Sequence, residues 1–157
     1  MPAVVLDQPS TERSARTVVD PQADPRATFP RRVRGHSRDG RSWEMLTSRT
    51  GVAVVGETGR LAEAQVAEES ERVVVDIRPQ LLGLPADLVT RLVGEAFAHP
   101  AVRARRPVLV TLPRGDSAVL QEVEAHVDGA LSRVAGVTCL VEGRVRATRW
   151  TTARKPH

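Results

Sequence analysis

Residues 72–112, RVVVDIRPQLLGLPADLVTRLVGEAFAHPAVRARRPVLVTL, hold a strand, a helix and a second strand in that order. Val73, Val74, Val75 and Ile77 form a β-branched run of the kind a central strand shows when both its faces are covered. Leu88, Val89, Leu92, Val93, Ala96 and Phe97 then recur as one apolar helical stripe. Pro100 stops that helix, and Pro107-Val108-Leu109-Val110-Thr111-Leu112 begins a new strand. Strand, helix and strand in so short a span imply parallel pairing, with the helix packed on the sheet.

Working outward, Arg31–Ser37 and Arg41–Leu46 flank Arg38-Asp39-Gly40, and Asp-Gly is a strong hairpin signal. Val52-Ala53-Val54-Val55 reads as a third strand, ended by Gly56-Glu57-Thr58-Gly59. Leu61, Ala62, Gln65, Val66 and Glu69 have a helical rhythm, so a short helix is expected over 61–69. On the C-terminal side, Asp116 or Ser117 caps a helix carrying Val119, Leu120, Val123, Val127, Ala130 and Leu131 on one face. Gly136 introduces a last strand, 137–141, extending through Arg144-Val145-Arg146. The expected fold is α/β, a mixed sheet of four to six strands with helices packed on it. Residues 31–146 would form one domain, between a disordered or extended tail over 1–30 and a basic tail over 147–157.

Composition sets the class. The chain has 157 residues and one cysteine, Cys139, which fits a reducing cytoplasm. Its apolar runs are too short for a membrane-spanning helix, and its first residues lack the pattern of a secretory signal. Twenty-two arginines stand against one lysine, with no Asn and no Tyr, the composition of a GC-rich bacterial genome. Charge is uneven: +4 over residues 31–49, −4 over 50–142 and +5 over 143–157. Arg31, Arg32, Arg34, Arg144, Arg146 and Arg149 are therefore candidates for contact with nucleic-acid phosphates. Four aromatic residues leave little for base stacking.

Catalytic and metal motifs are sparse. His36, His99, His126 and His157 have no ligand spacing with each other or with Cys139. No metal or cofactor is implied. Cys139 alternates with apolar residues in a strand, as a buried inert thiol does. No G-x-S-x-G elbow occurs, and Gly56–Arg60 lacks the ending of a phosphate loop. Asp76 and Asp116 stand at strand ends, where sites in open α/β sheets gather, so a small enzyme using both is one alternative. Simple capping is the plainer role for either.

From Trp43 to Val141 the chain resembles the STAS domain of anti-sigma factor antagonists. The residues that carry the resemblance are Gly51-Val52-Ala53-Val54-Val55-Gly56-Glu57, then the helix expected over 61–69, then Arg72-Val73-Val74-Val75-Asp76-Ile77, with a further helix, strand, helix and strand completing the order. In that family a serine at the start of the next helix is phosphorylated by a kinase, but residues 78–87 contain neither Ser nor Thr. The resemblance thus implies a regulatory protein-binding module without the phosphorylation switch, acting without catalysis. Leu81, Leu82, Leu84, Pro85 and Asp87 would form its partner surface, exposed beside the helix start. The partner is unnamed, and self-association is open.

Overall fold

The computed structural model describes residues 30–80 and 84–147. Eight strands and two helices follow one another as β1 (Arg31–His36), β2 (Ser42–Ser48), β3 (Gly51–Gly56), β4 (Gly59–Glu68), β5 (Val73–Pro79), α1 (Ala86–Phe97), β6 (Pro107–Pro113), α2 (Ser117–Ala125), β7 (Val127–Ala135) and β8 (Thr138–Val145). All eight strands join one sheet in the order β1-β2-β3-β4-β5-β6-β8-β7. The class is α/β as the sequence implies, but the sheet is wider than the four to six strands expected.

Two of the expected helical stretches are corrected. Residues 61–68 belong to β4, because Ala62, Ala64 and Val66 are buried at every second position while Gln65 and Ala67 face out. This strand stands where the STAS resemblance places a helix. The second helix ends at Ala125, so Val127, Ala130 and Leu131 lie on β7. Gly129, at φ +65°, accompanies a register shift between Asp128 and Leu131, a conformation that glycine adopts without strain.

The sheet is antiparallel except for β5 with β6. Strands β1 to β5 form a meander, and β6, β8 and β7 form a second antiparallel set. The helix α1 supplies the crossover that a parallel pair requires. It packs on β3, β4 and α2, while α2 packs on β6 and β7. One face of the sheet therefore holds the core, with Val54, Val73, Val75, Val110 and Val141 fully buried under Leu88, Leu92, Val93 and Val123. Each such aliphatic side chain contributes about 1.5–3 kcal/mol on burial. Among the described residues no helix is long and apolar enough to cross a membrane.

The buried His99 fastens the end of α1. Its Nδ1 accepts the Ala101 N–H at 3.2 Å, so Nε2 carries the proton donated to the Ser48 carbonyl at 3.1 Å. His126 stacks on Phe97 with ring centroids 4.9 Å apart, and Cys139 is buried.

Candidate binding site at the start of α1

The β1–β2 turn is closed by Ser37 N–H donating to the Arg41 carbonyl at 2.9 Å and by Gly40 N–H donating to the Ser37 carbonyl at 2.9 Å. The Ser37 hydroxyl donates to the Asp39 carboxylate, and this bond holds the Asp39 carboxyl below the usual carboxylate range. The Arg41 guanidinium adds an ion pair at 3.3 Å. The turn is thus ordered by its own polar side chains, although it is exposed.

Beneath it lies Trp43, only 5% exposed. Trp43 is flanked in the ladders by Gly35 on β1 and Gly56 on β3. A Cβ on Gly35 would overlap the indole, so glycine is what lets the ring lie there. Arg91, from the second turn of α1, places its guanidinium 5.4 Å from the ring centroid, within cation–π range. The indole Nε1 is buried and has no acceptor in the described residues.

Helix α1 begins without a side-chain cap. Pro85 occupies the N-cap position, and only its carbonyl takes part, accepting from Leu88 and Val89. Pro85 fits because the first turn of a helix needs no N–H from it. Two adjoining cavities open between this helix start and the β1–β2 turn. One, of about 710 Å³, runs between Ser37–Asp39 and the N-cap Pro85 with the α1 residues Ala86, Asp87, Thr90 and Arg91. The other, of about 510 Å³, has Trp43, Leu61, Leu84 and Leu88 beneath it and Arg41, Glu57 and Thr58 at its rim.

Three of the sequence-derived partner residues, Leu84, Pro85 and Asp87, meet in these walls. Leu84 differs from its expected role: it is partly buried and packs against the core, so it is floor and not an exposed anchor. Leu81 and Leu82 lie outside the described residues. Ser37–Arg41, Trp43, Thr90 and Arg91 complete the site, although sequence reasoning did not assign them to it.

The basic candidates do not come together. Arg31, Arg32 and Arg34 lie on β1, while Arg144 lies on β8 and Arg146 just beyond it, with five strands between. At about 4.8 Å per strand that is nearly 30 Å. Arg32 and Arg34 both pair with Glu44, and Arg146 pairs with Asp128. Arg149 lies outside the described residues. Among the described residues the two arginine groups therefore do not share one patch.

Asp116 is a helix cap: its Oδ1 accepts the Val119 N–H at 3.2 Å. Asp76 accepts the Thr111 hydroxyl at 2.6 Å and pairs with Arg78. Asp76 and Thr111 also form the last register pair between β5 and β6, although β5 continues to Pro79 and β6 to Pro113.

No protein-family model matches the chain, and no curated protein matches it. Among solved structures, it is similar to a protein of Sphaerobacter thermophilus named "putative acetyltransferase", at 12% identity and a TM-score of 0.41, covering 91% of this chain and 82% of that one. A likeness at this level bears on neither family nor activity.

Proposed function

We propose that this protein is a binding module that takes an extended segment of a protein partner in the trough between the β1–β2 turn and the first turns of α1. The observation that carries this reading is the make-up of the trough. An apolar floor of Trp43, Leu61, Leu84 and Leu88 is bordered by cations Arg38, Arg41 and Arg91 and by anions Asp39, Glu57 and Asp87. Apolar floors with polar rims are the pattern of protein-recognition sites. Such a floor suits a segment that presents one apolar side chain between polar neighbours. This is the kind of module that the STAS resemblance implies, with no hydroxyl in residues 78–87 to be phosphorylated.

Selection of displayed peptides on the immobilised protein tests it. Selected peptides should share an apolar anchor and lose binding to Thr90→Arg, which fills the mouth from an exposed helix position. Peptides that bind Thr90→Arg equally well would place recognition elsewhere.

A second reading rests on the ends of β5 and β6. Past Asp76 and Thr111 these strands no longer pair with each other, leaving Ile77–Pro79 open on that side of the ladder. Ligands of open α/β sheets bind outside the carboxyl ends of the strands. An elongated amide-bearing ligand would complete the open edge, with Arg114, just past the end of β6, nearby for a phosphate group, while Arg78 is held by Asp76. Coenzyme A has both features. A rise in melting temperature with coenzyme A, and none with ADP or pantetheine alone, would favour this reading over peptide binding.

A further inference from the structure

The two outer edges of the sheet are unlike. At one, β1 carries Arg31, Arg32 and Arg34, all exposed, and charged edges resist pairing with another strand. At the other, β7 carries Asp128 and Arg133 as its only charged residues, and no proline. The three large apolar side chains exposed among the described residues are all here: Leu131 at 73%, Val134 at 56% and Val137 at 84%. Leu131 registers with Glu142 on the face away from the helices, while Val134 registers with the buried Cys139 on the helix-covered side. Apolar side chains therefore project from both faces of an open edge, the pattern of a strand that expects a neighbour.

We infer that this edge pairs with β7 of a second copy, antiparallel about a two-fold axis near Leu131, giving a continuous sixteen-stranded sheet. Charge selects the occupant. Arg133 and Asp128 lie on opposite sides of Leu131, and their β8 partners Leu140 and Arg144 share the face of Glu142. A two-fold through Leu131 sets that residue against its own copy. The extra residue at the Gly129 bulge then brings each Arg133 to the Asp128 stretch of the other copy, where it would join the Arg133–Glu142 and Arg146–Asp128 pairs already present in each chain. The strand is thus complementary to itself. Pairing of β7 with β1 would instead propagate into an open filament, and it would set apolar residues against the Arg31–Arg34 row.

Sedimentation velocity on the full chain tests the proposal between about 5 and 500 μM, a range wide enough to resolve a micromolar dimer. The expected species is a dimer of the 17.1 kDa chain. Leu131→Lys should weaken it at least tenfold while leaving the circular dichroism of the dissociated chain unchanged, since Leu131 is exposed there. As a second reading of geometry, Leu131→Cys in a Cys139→Ser background should form a disulfide dimer on mild oxidation. Ala118→Cys, on an exposed position of α2, should not. A wild-type monomer at 500 μM would overturn the inference. So would a dimer indifferent to Leu131→Lys, or a filament.

Discussion

Gly35 and Trp43 sit directly opposite each other across the β1–β2 ladder, and the indole occupies the space a Cβ on Gly35 would need. Both residues also bear on the proposed trough, because Trp43 lies beneath its smaller cavity. A large ring in an edge hairpin is held here by the absence of a side chain on its neighbour.

Gly35→Ala should accordingly cost about 1–3 kcal/mol, the range for forced overpacking in a filled site. Urea unfolding followed by tryptophan emission, in a Trp150→Phe background so that Trp43 alone reports, measures both the loss and any shift of the ring. An unchanged midpoint and spectrum would show that the ring moves aside freely.

The two helices differ at their starts, and substitution should show it. Asp116→Ala removes the one side-chain cap of α2 and should lower stability by about 0.5–2 kcal/mol. Pro85→Ser offers α1 a cap that it lacks, and should leave stability equal or raised. Chemical denaturation of both variants compares the two directly.

Glu68, at the end of β4, accepts a hydrogen bond from Arg106, just before β6, and this bond is the main cause holding its carboxyl below the ordinary value of 4.5. A carboxyl whose pKa is lowered by folding stabilises the fold above its unfolded pKa. That contribution disappears as pH falls through the folded value. Stability should therefore decline with acidification below about pH 4.5, and Glu68→Gln should make that decline shallower without changing its direction. Urea midpoints of both proteins between pH 7 and pH 3 measure it.

Leu84→Asp should both destabilise the protein and impair the trough, since Leu84 packs on the core and also lines the cavity. Thr90→Arg should impair the trough with little loss of stability, since the bond it removes, from the Thr90 hydroxyl to Glu122 at 3.3 Å, is exposed. A Leu84→Asp variant with wild-type melting temperature would mean that Leu84 stands free of the core.

Strand β5, helix α1 and strand β6 were legible because their patterns admit one interpretation. A run such as Val73–Ile77 has no helical stripe, and the Leu88–Phe97 stripe has no alternation. Strand β4 was not legible, since Ala62 and Val66 satisfy both rhythms and alanine has no preference for a strand. At β7, Val127 and Leu131 continue the α2 stripe on paper, and only pairing with β8 ends the helix. The site divides likewise. Leu84, Pro85 and Asp87 were readable as a cluster beside a helix start. That the β1–β2 turn closes over them depends on the crossover carrying α1 back across β3 and β4, and nothing local to Asp39-Gly40 encodes it.

The parallel contact of Val73–Asp76 with Val108–Thr111 is four register pairs long, and it is the one ladder that joins the two antiparallel sets of strands. Every other ladder joins strands within one set. Those ladders can zip up early and independently, whereas the seam must wait for the crossover to close, because long-range pairings form only after their loop entropy has been met. The amide protons of Val74, Val75, Leu109 and Val110 are therefore the natural gauge of whether this protein opens as one cooperative unit or as two foldons that part along a line.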